Sequence, residues 1–565
     1  MTTTSPSPAT SGADLLLMGQ VRCLDDAGRQ AQAIAIRDGR ILDVGSREAM
    51  ARWRSAETVV HDHGDRTLIP GFNDTHAHLD SIGLVKLRPS LHAADSVEAI
   101  VHRVRELAAI TPRGEWIVTG PIGQGPFYFD APAHLRERRL PGRHELDAAA
   151  PHHPVCITAP SGYWGQPPCY TALNSAGLAL NGIDRDARAR VSGVDIERDE
   201  HGEPTGIIID HNYAEAAQLD LLPAVPRFTR DQRLEAIRLA MPVYHSMGTT
   251  SVYEGHGMVP LLVGHYRTLH ELGQLSMRTG LVLSLPLQDG DDVPRLLRDW
   301  CAHARGAGIG DDMLRISGVF LPFGGDPVVA SLARQAPEDL GWSSYVKQHA
   351  TPEQFEALAL EAARLNLRVH TVAADNIDKL LTSLERVAAQ IPLHGKRWVV
   401  EHLATCSPEA VQRLARLGVG VTLIPLFHIW KVSKRYENYT DAQKSYVAPA
   451  RHLLDAGVPV STGTDAVPNN PLMAVWSMAA RRERRNDQVL GAEGRLEVER
   501  GLRLATVAGA WLTFEEHRKG PLLPGYLADI AVLDEDPCQV AIDRIPEIRC
   551  AATYVGGRQV YGGSV

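Results

Sequence analysis

The chain has no apolar stretch near the roughly 20 residues that span a bilayer, so no membrane role is indicated. It also lacks a basic run. The one dense charge cluster, "RRERRND" at 481–487, is mixed in sign and reads as a solvated helix face; with a net charge of −9 this argues against a nucleic-acid surface. Its seven cysteines are odd in number, scattered and never spaced C-x-x-C, which fits a reducing compartment and makes the cytoplasm the expected location. The opening "MTTTSPSPATSGAD" has neither a basic start nor an apolar segment, so residues 1–12 are expected to form a disordered tail and not a signal peptide.

What remains is an ordinary globular composition, 44% hydrophobic and 22% charged, over 565 residues, enough for more than one structural unit. Between about 229 and 465 helical segments alternate with short apolar strands: "TPEQFEALALEAARLN" then "LRVHT", "SPEAVQRLARLG" then "VGVTLIP". Repeated helix-then-buried-strand units mean a parallel sheet, and this many of them predict an α/β fold, a (β/α)₈ barrel of the TIM type over 71–514. Residues 13–70 and 515–565 instead read as short strands and turns, and are expected to join in one small β-sandwich. The stretch from about 85 to 230 is rich in Pro and Gly, carries a hairpin signal at Asp199–Ile209, and reads as an inserted lid over the barrel mouth.

The segment "TLIPGFNDTHAHLDSIG" raises the question of function. Random placement of 24 histidines gives about one H-x-H in such a chain, and a second does occur as His61-Asp62-His63. That copy lies in "VVHDHGDR", where Gly64-Asp65 reads as a turn between two short strands. His76 and His78 differ in context: they follow an apolar strand, and strand alternation puts both imidazoles on one face. Other polar residues also close predicted strands, namely Glu254 in "TSVYE", His370 in "LRVH", His402 in "RWVVEH" and Asp465 in "VSTGTD". In a barrel of this kind the chemistry collects at the C-terminal strand ends. Four histidines and a carboxylate there match what a zinc-type cation needs.

"AIAIRDGRILDVG", "LIPGFNDTHAHLD", "GEWIVTGPIGQG", "DEHGEPTGII", "RVHTVAADNIDKLL", "VVEHLATCSPEAVQRLARLGVGVTLIP", "GTDAVPNNPLMAV" and "GPLLPGYLADIAVLDEDP" occur in that order. Over roughly 13–560 the chain thereby resembles the amidohydrolase superfamily, and more closely its branch of YtcJ-like hydrolases, which includes N-substituted formamide deformylases. The resemblance implies that His76, His78 and His370 are metal ligands and that His402 is a ligand or polarises the substrate carbonyl. It implies that Asp465 binds the metal or the attacking water and acts as general base. The chain departs from the pattern twice. Where many relatives carry a bridging lysine in "G-x-K-x-x-x-D-G", it reads "GVFLPFGG", with Phe320 at the lysine and Gly324 at the aspartate. One Zn²⁺ per chain is therefore expected, with Glu254 as the alternative bridge if two metals bind and Mn²⁺ or Fe²⁺ as alternatives to zinc. Where relatives show Asp-Gly-His, it reads "APSGYWGQPP", with Tyr163 at the histidine.

An aromatic-lined pocket built from Phe320, Tyr163, Trp164, Phe427, His428 and Trp430 would suit an apolar or aromatic substrate. The expected function is metal-dependent hydrolysis of a C–N bond, amide or formamide, in a small and partly apolar molecule. Aminoheterocycle deamination and a catalytically inactive binding protein of the same fold are the alternatives; retention of His76, His78, His370 and Asp465 argues against the last. A small-molecule substrate is the expected partner, with neither nucleic acid nor membrane, and a homo-oligomer is left open.

Overall fold

The computed structural model describes residues 12–123, 131–160, 167–212, 216–285, 292–335, 349–372 and 377–563. Its centre is a run of eight parallel strands in sequence order: Phe72–Asp74, Thr249–Met258, Arg278–Leu283, Leu314–Phe320, Val369–Val372, Val399–Glu401, Gly420–Leu423 and Val460–Thr462. These are the strands of the expected barrel. Helices alternate with them because the local signals agree with the pattern. Thr229 and Gln232 form a capping box ahead of Arg230–His245, Thr351 and Gln354 do the same for Pro352–Arg364, and Ser407 caps Pro408–Leu417. Apolar side chains from these helices and from Ile377–Ala388, among them Phe355, Leu380 and Leu414, share one core with strand residues such as Val400 and Val421. Inside the barrel a separate layer of Tyr253, Val282, Phe320, Val372 and Val399 fills the space, so the barrel is a packed core and not a pore.

The seam between the eighth strand and the first is closed by the residues just past their ends. Asp465 N–H donates to the His76 carbonyl (2.9 Å), and Thr464 N–H donates to Asp74 Oδ1 (2.9 Å). Both chain ends meet in one seven-stranded sheet, in which Ile530–Leu533 from the C-terminal part pairs antiparallel with Val59–Pro70. Leu15 and Leu17 pack on one face of this sheet and Leu16 on the other. A buried Arg278–Asp529 ion pair (2.6 Å) ties the sheet to the third barrel strand. Val59–Pro70 is one continuous strand and not two: Gly64, with φ +64°, sits at a register shift where a turn was expected. His61 and His63 both bond the Tyr554 hydroxyl (2.8 and 3.1 Å), which gives that second H-x-H a structural role.

Between the first and second barrel strands the chain forms a five-stranded sheet that includes the hairpin Val194–Arg198 and Pro204–Asp210. Apolar residues of the helices beside it, Leu178 of Ser175–Leu180 and Leu221 of Ala216–Leu221, cluster with Val329 and Leu332 of the helix that follows the fourth barrel strand. None of the helices among the described residues is long and apolar enough to cross a membrane.

Candidate metal centre

At the C-terminal end of the barrel, residues from four strand ends converge. His76 and His78 leave the first strand, His256 lies near the end of the second, His402 follows the sixth and Asp465 follows the eighth. All five are buried. His402 and Asp465 have left-handed backbones (φ +58° and +53°), a conformation that costs a non-glycine residue energy and persists where surrounding structure enforces it. In both cases it turns the side chain out of the strand direction and into the cluster. Gly463 lets this happen on the eighth strand, since a Cβ there would lie 2.4 Å from His76 Cβ. Gly463→Ala is accordingly expected to cost roughly 1–3 kcal/mol of stability through overpacking, seen as a lower denaturation midpoint with an unchanged slope.

The distances suit a cation. His78 Nε2 lies 2.9 Å from Asp465 Oδ1, His402 Nε2 lies 3.4 Å from Asp465 Oδ2, and His76 Nε2 lies 3.9 Å from Asp465 Oδ1. Two ligand atoms on one tetrahedral zinc are roughly 3.3 Å apart, given bond lengths of about 2.0–2.2 Å. His76 Nε2 is buried and makes no hydrogen bond, while its Nδ1 is held by Glu401 Oε2 at 2.9 Å. Two overlapping sets of three donors, His76–His78–Asp465 and His76–His256–His402, each have their ligand atoms within 4.8 Å of one another. Neutral imidazoles with one carboxylate are the donor set that a zinc-type ion takes, so the residues fit the group.

Burial and the neighbouring His402 and His78 hold His76 neutral, well below the ordinary histidine range, and burial beside His76, His78 and His402 does the same to His256. Burial alone would push the Asp465 carboxyl up, but His402 and His78 beside it keep it well below the usual carboxylate range. For His78, burial is outweighed by Asp465 and Glu254, and its proton is held more tightly than usual.

A second layer supports the first. Glu401 accepts from Nδ1 of His76 and, at 2.7 Å, from Nδ1 of His370, whose Nε2 meets the Tyr253 hydroxyl at 3.0 Å. His370, expected among the ligands, is thus placed one layer beneath the converging nitrogens, with both ring nitrogens engaged and in neither donor set. Glu254 also braces the site: its Oε1 accepts from Leu79 N–H (2.8 Å) and the Tyr266 hydroxyl (3.0 Å), and its Oε2 stands 3.9 Å from His78 Nδ1. Burial pushes its carboxyl up to about 8.

Of the expected pocket residues, Phe427 packs edge-on to His402 (ring centroids 6.2 Å apart), and His428, bonded to the Tyr436 hydroxyl, lies at a similar distance. Both belong to the π-helix Leu426–Lys431 that follows the seventh strand. Trp430, on the same helix, stacks with Arg484. Phe320 is buried in the barrel's interior layer, and Tyr163 and Trp164 lie outside the described residues. His256, Glu401 and Asp74 were not anticipated from sequence. His256 is flanked by glycines in "YEGHG", a signal that could have drawn notice.

Comparison with known proteins identifies the family and the fold. A model of the amidohydrolase family matches residues 59–561. The N-substituted formamide deformylase of Arthrobacter pascens is 27% identical over 96% of this chain and 97% of its own length. An uncharacterized metal-dependent hydrolase from Pyrococcus horikoshii OT3 superposes with a TM-score of 0.67 at 20% identity, over 94% of this chain and 99% of that one. The atrazine chlorohydrolase of Arthrobacter aurescens TC1, solved with zinc, has a TM-score of 0.53 at 18% identity, over 97% of this chain and 95% of its own. With a family model that spans most of its length, the chain belongs to the amidohydrolase family.

Proposed function

We propose that this protein hydrolyses the C–N bond of a small, partly apolar amide or formamide, using one divalent cation, zinc, held among His76, His78, His402 and Asp465. The observation that carries the reading is the buried convergence of those nitrogens on the Asp465 carboxylate. The same field that keeps Asp465 ionised makes it a weak base. So weak a base takes a proton only from an acidified water, and acidifying water is what a divalent cation supplies when bound.

Asp465 then accepts the proton from the attacking water as its oxygen bonds the carbonyl carbon. Once protonated it is a strong acid, suited to deliver that proton to the departing nitrogen as the C–N bond breaks, giving a carboxylic acid and an amine. His402, with Nε2 3.4 Å from Asp465 Oδ2, is placed to share the cation with that carboxylate. Phe427 and His428, whose rings each lie 6.2 Å from that of His402, would favour an apolar or aromatic group on the substrate. In this reading His370 and Glu254 orient ligands, and the protein works on a small molecule in the cytoplasm.

The test joins metal analysis to product identification. Purified protein is expected to carry one equivalent of cation, lose turnover on chelation and regain it with zinc, and release amine plus acid from a panel of amides and N-substituted formamides. Ammonia release from aminoheterocycles, with the amides left intact, would replace this reading with deamination. Protein that binds no cation and turns over nothing would refute hydrolysis.

A further inference from the structure

The second barrel strand ends abnormally. Glu254 pairs with Leu281 and Met258 with Leu283, so Gly255, His256 and Gly257 stand opposite Val282 alone. Such a bulge re-aims a side chain at the end of a strand. Both flanking glycines are required by their surroundings. A Cβ on Gly255 would lie 2.7 Å from Glu401 Oε1, and one on Gly257, whose φ is +79°, would lie 2.6 Å from Phe320 Cβ. The backbone therefore threads between Glu401 and Phe320, and it delivers the His256 ring into the cluster. That ring is buried, 4.2 Å from the His76 ring by centroids and stacked on His402 at 5.2 Å.

We propose that His256 ligates the cation beside His76 and His402, as a ligand delivered by the bulge of the second strand. The inference rests on the reading of the cluster as a cation site and goes beyond it in assigning a ligand from the second strand. His76 has Nδ1 committed to Glu401, which leaves Nε2 alone to face a cation. One nitrogen serves one ion, so the two donor sets that share His76 belong to a single ion, with His78 and Asp465 on one side of it and His256 and His402 on the other. The Asp465 carboxylate, 2.9 Å from His78 Nε2, belongs to the same cluster and keeps a second oxygen, Oδ2, on the side of His402. The phenylalanine at the fourth strand and the glycine-flanked bulge at the second then form one arrangement, since Gly257 is in contact with Phe320.

The experiment uses full-length protein loaded with one equivalent of Co²⁺, in wild type, His256→Ala and His256→Gln. Affinity is read by competition with a chromophoric chelator, coordination by the cobalt visible spectrum and by counting histidine ligands with X-ray absorption, and folding by circular dichroism. The expected result is a loss of affinity of about 100-fold or more in both folded variants, with one imidazole fewer at the ion and a changed spectrum. Wild-type affinity, spectrum and histidine count in either folded variant would overturn the assignment, even if turnover fell, because His256 would then face substrate and not the ion. A wild-type protein that binds no Co²⁺ would overturn the parent reading and this one with it.

Discussion

Asp465→Asn is expected to lower kcat by about 10³-fold or more, within or beyond the range for loss of a general base, while the cation stays bound. Asparagine keeps the shape of the side chain and one carbonyl oxygen, so the contact now made 2.9 Å from His78 Nε2 survives. It cannot take a proton from water or deliver one to the leaving nitrogen. The buried carboxylate also balances the neighbouring imidazoles, which is why His402 and His78 hold it ionised, and some weakening of cation binding is expected with the charge gone. The measurement is kcat beside metal content after dialysis. A variant that keeps its metal and turns over at the wild-type rate would remove Asp465 from the chemistry.

Glu401→Gln is expected to weaken cation binding by about 10- to 100-fold, the usual effect of removing a carboxylate that orients a ligand. The reason lies in proton bookkeeping at one buried side chain. Both oxygens of Glu401 accept, one from His76 Nδ1–H and one from His370 Nδ1–H. A glutamine can satisfy only one of them; its amide N–H₂ opposes the other and favours the tautomer with the proton on Nε2. For His76 that tautomer hides the lone pair aimed at the site. Competition titration of the folded variant checks this, and unchanged affinity would show that Glu401 leaves the ligand indifferent to its support.

The barrel was legible because its signals are local: capping residues, helix-period apolar stripes and short strands recur between 229 and 465, and each agrees with the next. His76, His78, His402 and Asp465 stood out for a related reason, since each closes an apolar run and strand ends are where such barrels place polar chemistry. What could not be read was depth. His370 closes its strand just as His402 does, yet the two part company at one dihedral: His402 turns left-handed and swings inward, while His370 keeps strand geometry and points to Glu401. No residue type in either motif announces that difference. His256 escaped notice because a bulge breaks the alternation from which facing is inferred, and the bulge fits against Glu401 and Phe320, far along the chain. The turn expected at Gly64-Asp65 is a register shift instead, since the flanking strand Leu15–Arg22 pairs on both sides of it.

The joint where His76 meets Asp465 has a further meaning. Residues from nearly opposite ends of the barrel sequence bond there through main-chain atoms, and Asp74 and Thr464 reinforce the same meeting point. A ring of strands can begin to part only along a line, and this line runs through the candidate metal centre. Partial opening would scatter them while most of the oily interior stayed together, so heat or denaturant should silence the enzyme before bulk unfolding is seen.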